Sequence, residues 1–198
     1  MRASPSVVWW AGPLRERSAG RDATAPRWGF HGTARCTGMH RVIGEAAIAD
    51  TSVDEAAAVA LYRDMVRART FDERAIALQR QGWMSSYPPF KGQEASQVGA
   101  AHAMAEADWL FPTYRSNAMQ IARGVPMSDL LLFRRGHAEY DSDHDVPTFP
   151  QAVPTATQIP HATGAGMAAT YRDADHAVVC YFGDGATSEG DFHEGLNF

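Results

Sequence analysis

Residues 177–198, AVVCYFGDGATSEGDFHEGLNF, decide the reading of this chain. Residues 177–182 form a continuous apolar run, the pattern of a parallel strand covered on both faces. The run ends in Gly183-Asp184-Gly185. Thr187-Ser188-Glu189-Gly190-Asp191 then reads as the polar entrance of a helix, with acids where the helix dipole favours them. Ligands of open α/β sheets bind at the carboxyl ends of strands, and Asp184 stands at such an end. Mg²⁺ takes a few hard oxygen ligands together with phosphate oxygens. Glycines on either side let backbone N–H groups approach a diphosphate. The same tripeptide also occurs as an ordinary Gly-rich turn with Asp as a cap, and motifs this short match often by chance.

Upstream of that unit the pattern is helical. Ala57, Leu61, Met65, Ala68 and Phe71 recur at three and four residues, which predicts a helix over 53–82. Thr51 or Ser52 can cap it, Asp54 and Glu55 fall in its first turn, and Gly82 marks its stop. Tyr87-Pro88-Pro89 forces extended chain. Residues 93–105 form a second, alanine-rich helix, and Trp109-Leu110-Phe111-Pro112 reads as a short apolar turn. Two short helices follow at 116–122 and 128–134. Residues 136–154 have no period and read as a long loop of the kind that is often functional or mobile. Pro160 suits the first turn of a helix running on through 162–171. Helices followed by a β-turn-α unit predict an α/β fold.

Bulk properties narrow the function. The 198 residues are 45% apolar, enough for one domain with a core. No run is long enough to span a bilayer, so a membrane partner is not expected. Cys36 and Cys180 form no disulfide framework, which makes a reducing, intracellular setting the default; the cytoplasm of a prokaryote is expected ahead of the mitochondrial matrix. Residues 1–38 carry a net charge of +4 and residues 39–198 a net of −9. An acidic body speaks against nucleic acid, whose phosphates need a basic face. The Arg-rich leader, with Trp9, Trp10 and Trp28 and no period, resembles neither body nor clean amphipathic transit helix. Residues 1–50 are therefore expected to be an unstructured extension, with Met39 as an alternative start, and 51–198 an incomplete binding domain. His137, His144, His161 and Cys180 lack zinc spacing, and no Gly-x-Ser-x-Gly elbow supports a serine hydrolase.

Two further segments carry polar chemistry. Tyr114-Arg115 pairs a phosphate fork with a hydroxyl and an aromatic face; alone, it is equally a surface helix start. Residues 153–160, VPTATQIP, form a rigid loop whose carbonyls and hydroxyls point in fixed directions, suited to a monovalent cation or a heterocycle edge, or simply to crossing the surface.

Taken together, YFGDGATSEGDFHEGLNF, VPTATQIPHATGAG, WLFPTYRSNA with ARGV, and KGQEA occur in the order found in one family. The chain resembles the alpha subunit of the decarboxylating component of 2-oxoacid dehydrogenase complexes, over roughly residues 55–198. The resemblance implies the N-terminal part of a thiamine-diphosphate-binding fold, with helices preceding a parallel sheet. It implies thiamine diphosphate and Mg²⁺ held between this chain and a beta subunit in an α2β2 heterotetramer. Asp184 would ligand Mg²⁺, and the backbone at Gly185 and Ala186 would meet the diphosphate. Tyr114 and Arg115 would face the diphosphate and the reaction site. Backbone groups of Val153 and Thr155 would hold the aminopyrimidine, while Ala152, Pro154, Thr157 and Gln158 match a K⁺-binding loop. The implied reaction is decarboxylation of a 2-oxo acid, with the cofactor ring as electron sink and acyl transfer to a lipoyl group on a partner acyltransferase. Pyruvate is the first choice and a branched-chain 2-oxo acid the alternative, since Pro88 stands where pyruvate-type members often carry His. The family's Asn–Asn pair and later histidine loop lie beyond Phe198. The chain therefore reads as a fragment, expected to be inactive alone; a non-catalytic subunit-binding module is the competing reading. Transketolase-like enzymes share the GDG but not Tyr114-Arg115 or Thr157-Gln158.

Overall fold

The computed structural model describes residues 53–137 and 144–198 throughout, and the backbone of 6–11. The element order is β1 (Ser6–Ala11), α1 (Glu55–Arg80), α2 (Glu94–Ala103), β2 (Trp109–Phe111), α3 (Asn117–Ala122), α4 (Met127–Phe133), α5 (Gln158–Tyr171), β3 (Val178–Gly183) and α6 (Gly190–Asn197). A short 3₁₀ helix, Asp184–Ser188, separates β3 from α6. Two compact units divide the chain. Of the second, 14–58, only 53–58 are described, and they open α1.

The first unit is α/β. Its sheet has the order β1-β3-β2. β2 runs parallel to β3, with Trp109 opposite Val178 and Phe111 opposite Cys180. β1 runs antiparallel on the other edge of β3, from Ser6 opposite Gly183 to Ala11 opposite Val178. β3 owes its unbroken apolar sequence to cover on both faces. Val178, Cys180 and Phe182 join Phe111, Ile159 and Ala162 in one cluster. Val179 and Tyr181, on the opposite face, join Ala101, Leu110 and Met119. A third cluster packs α1 through Ala68, Phe71 and Ala75 against Tyr87, Phe90, Val98 and Leu130.

Several expectations change. Trp109-Leu110-Phe111 is a strand, not a turn, and it is the parallel neighbour that gives β3 a sheet. Three residues are too few to display an alternation, and pairing with a distant partner makes the strand. No element was expected before residue 53, yet SVVWWA forms β1. Its β-branched and aromatic run has strand propensity without alternation. Residues 1–5 and 12–52, with Cys36, Met39, Thr51 and Ser52, lie outside the described residues, as do 138–143, and the expected unstructured extension falls largely there. The cap of α1 is Asp54, whose Oδ1 accepts the Ala57 amide at 2.7 Å, and Ala57 itself is exposed.

Gly82 does stop α1. At φ +78° it lets the Trp83 amide reach the Leu78 carbonyl and its own amide reach Gln79, a Schellman close. α2, α3 and α4 lie within a residue or two of expectation. Among the described residues no helix is long and apolar enough to cross a membrane.

Candidate functional site

The parallel pair sets up the site. β2 ends opposite Cys180 while β3 runs on to Gly183, and the segments leaving both carboxyl ends line one crevice. After β3, Gly183 is extended (φ −92°, ψ 170°) and the 3₁₀ turn carries Asp184, Gly185 and Ala186. The sequence predicts a helix directly here. The Thr187 hydroxyl instead donates to the Asp184 carbonyl at 2.6 Å and the Glu189 amide to Ala186. α6 starts only at Gly190. After β2, Thr113 and Ser116 form a tight turn. The Ser116 amide donates to the Thr113 carbonyl, and the Arg115 amide donates to Thr113 Oγ1 at 3.1 Å. That turn presents Tyr114 and Arg115. A single parallel bridge between Thr113 and Ala152 draws in the end of the long loop.

These segments line a cleft of about 730 Å³, within the range of small-ligand sites. Asp184, Gly185 and Ala186 form one wall, Tyr114 and Arg115 another, and Ala152, Pro154, Thr155, Ala156 and Gln158 a third. Asp184 is exposed, not buried against the core. A Cβ added at Gly183 or Gly185 would meet no atom within 4 Å, so open space adjoins both. Val153 and Thr157 are not brought to the lining; Val153 is 57% exposed. The Thr157 carbonyl accepts from His161 Nδ1 at 2.9 Å. Gln158 is buried and donates from Nε2 to the Tyr181 carbonyl at 3.1 Å, tying the start of α5 to β3. Ala156 takes the left-handed conformation, φ 72°, while almost fully buried. That is a strained state for a non-glycine residue, sustained by its surroundings.

The fourth wall comes from the connection between α1 and α2. Ile76, Pro89, Lys91, Gly92, Gln93 and Gln97 line it, and sequence reasoning gave none of them a role. The one signal was KGQEA, with Gly92 before a helix start; Gly92 adopts φ +96°. Glu94 anchors this corner. Its Oε1 accepts from Arg69 Nε and its Oε2 from the Gly92 amide at 2.9 Å. Burial alone would raise the Glu94 carboxyl, but Arg69 and the backbone amides of Glu94 and Gly92 outweigh it and hold the group below the usual range. Gln97 ties the corner to Tyr114-Arg115. Its Nε2 donates to the Arg115 carbonyl at 3.2 Å and its Oε1 accepts from the Ala118 amide at 3.1 Å.

Chemically, the cleft brings a carboxylate, open glycine backbone and a guanidinium into one lining, together with apolar and hydroxyl groups. Such a donor set suits a divalent cation bound to a phosphorylated ligand. Cys180 takes no part: it is fully buried, and burial pushes its thiol up to about 12.

Comparison with known proteins agrees in direction. The model of the family described as Dehydrogenase E1 component matches residues 62–198. A Mycobacterium tuberculosis protein, 3-methyl-2-oxobutanoate dehydrogenase subunit alpha, is 45% identical over 139 residues, covering 70% of this chain and 38% of the relative. The pyruvate dehydrogenase E1 component subunit alpha of Staphylococcus aureus is 36% identical over 141 residues, 71% of this chain and 38% of its own. That of Bacillus subtilis is 35% identical over 158 residues, 79% of this chain and 42% of its own. The chain thus spans about two fifths of the length of the curated relatives it matches.

Proposed function

The chain belongs to the dehydrogenase E1 component family, and on that premise we propose that it supplies the diphosphate-facing half of a thiamine-diphosphate site in a 2-oxoacid dehydrogenase alpha subunit. The observation that carries the proposal is that Asp184, Gly185, Tyr114 and Arg115 border one cleft at the carboxyl ends of two parallel strands. The residues fit the group. An exposed carboxylate suits Mg²⁺, open space at Gly185 admits a diphosphate close to backbone, and Arg115 offers a planar fork.

Asp184 holds the metal and Gly185 and Ala186 present backbone to the diphosphate. Arg115, in the same lining, neutralises phosphate charge, with its guanidinium over the Tyr114 ring at 5.4 Å. Backbone groups of Val153 and Thr155 receive the aminopyrimidine, with the Val153 side chain outside the cleft, and Ala152, Pro154, Thr157 and Gln158 form a K⁺ subsite at its border. When bound, thiamine diphosphate supplies the electron sink for decarboxylation. This chain's residues orient it and balance its charge. A beta subunit completes the site, and a lipoyl acyltransferase takes the acyl group. Pyruvate is the proposed 2-oxo acid, 3-methyl-2-oxobutanoate the competing one, and the cytoplasm the proposed compartment.

The test is calorimetric titration of the chain, alone and with its beta partner, using thiamine diphosphate and MgCl₂. Asp184→Ala is expected to weaken Mg²⁺-dependent binding by about tenfold or more, the scale of one lost charged contact. Equal affinity in wild type and variant overturns the metal assignment. In the assembled enzyme, relative turnover of the two 2-oxo acids decides the substrate.

A further inference from the structure

Asp72 is buried completely in α1, outside the lining of the cleft, and the proposed chemistry does not use it. Its Oδ1 accepts two hydrogen bonds, from the Tyr87 hydroxyl at 2.9 Å and from the Phe90 amide at 3.0 Å. Its Oδ2 is buried with no hydrogen-bond partner. A buried carboxylate with one oxygen unsatisfied costs stability, and an apolar residue would pack as well beside Ala68, Phe71 and Ala75. Stability alone does not account for an acid here.

What the two bonds enclose is informative. Tyr87 and Phe90 flank Pro88-Pro89, and neither proline has an N–H with which to anchor itself. The segment is therefore held from its ends, and Asp72 grips both. Burial, then the Asp72 charge, raises the Tyr87 phenol well above its ordinary value, so it remains a donor at every physiological pH. The Pro89 carbonyl, its direction set by this grip, accepts Arg115 Nη1 at 2.5 Å. Pro89 and Arg115 both border the cleft. On the other side, the Arg134 guanidinium donates to the Tyr114 carbonyl and to Gln151 Oε1, and Gln151 Nε2 donates to Asn117 Oδ1 at 2.9 Å. This chain of bonds supports the Tyr114-Arg115 backbone and meets the Tyr87 hydroxyl at Asn117, whereas the bond from Pro89 reaches the Arg115 side chain itself.

We propose that Asp72, through Tyr87 and the Phe90 amide, is a positioning residue that fixes the Pro89 carbonyl and thereby aims the Arg115 guanidinium into the cleft. Its value to ligand binding rests on the proposed diphosphate site, but the aiming itself does not. Removing the grip leaves Arg115 present yet free to swing, so a ligand must pay its ordering entropy on binding.

The test uses the chain as it exists, with ¹⁵N relaxation of the Arg115 side-chain Nε–H as a ligand-free readout. Tyr87→Phe is expected to lower the Arg115 order parameter while distant backbone amide shifts stay in place. Asp72→Asn, which keeps an oxygen able to accept both bonds, is expected to preserve it. Asp72→Ala should lose it, and Tyr87→Phe carries the test if that variant fails to fold.

With thiamine diphosphate and MgCl₂, Tyr87→Phe is expected to weaken binding about three- to tenfold, the net worth of one hydrogen bond. In an Arg115→Ala background it should weaken binding no further, while the thermal midpoint falls equally in both backgrounds. An unchanged Arg115 signal, or fully additive affinity losses, overturns the proposal. If wild type binds no thiamine diphosphate while Tyr87→Phe still loosens Arg115, the functional reading falls and the positioning stands.

Discussion

Glu94 shows how a single side chain holds one corner of the cleft and how it can be interrogated. Its carboxylate accepts from Arg69 and from the Gly92 amide, and it is almost fully buried. Because its folded-state value lies below the unfolded one, its contribution to stability is present above the ordinary carboxylate range and is lost as pH falls through and below it. Between about pH 5 and pH 3, around the ordinary Glu value, the thermal midpoint of wild type should drop more steeply than that of Glu94→Gln. Scanning calorimetry at several pH values checks this; parallel curves would remove Glu94 from the acid response. Its partner Arg69 is partly open to solvent, so screening by salt should reduce the difference. Asp184 and Arg115 were legible as residues because short motifs carried them. Asp72 and Glu94 were not, since Tyr87 and Phe90 lie 15 and 18 positions from Asp72, and Arg69 lies 25 from Glu94.

Elements were legible in proportion to length and pattern. α1 declared itself by period and by Gly82, and β3 by six apolar residues in a row. β2 did not, because a three-residue strand exists only through its pairing with β3. The approach of Leu110 to Thr148 and of Thr113 to Ala152 was hidden for the same reason: isolated bridges leave no local signature. The end of α1 offers a direct test of a legible feature. A Cβ at Gly82 would clash with nothing, yet φ +78° is a conformation that L side chains resist. Gly82→Ala should therefore lower stability by about 1 kcal/mol through backbone strain alone. Urea unfolding checks this, with the midpoint expected to shift and the slope to stay constant.

At the scale of the whole molecule, the family and the α/β class are legible in the sequence because β3 and the glycine-rich turn sit together in it. The cleft is not, since its four walls come from segments spread between Ile76 and Ala186. Folding alone brings them together, around a sheet whose middle strand is β3. That centrality gives Cys180 an unexpected use. Its sulfur is sealed between two packed layers and its thiolate is suppressed by burial, to about 12. An alkylating reagent can then capture it only when the layers part. In a Cys36→Ser background, the rate of iodoacetamide capture should fall when thiamine diphosphate and MgCl₂ are added, by the factor that bound ligand stabilises the closed form. The thiol thus serves as a built-in stopwatch for breathing of the very strand that presents Asp184.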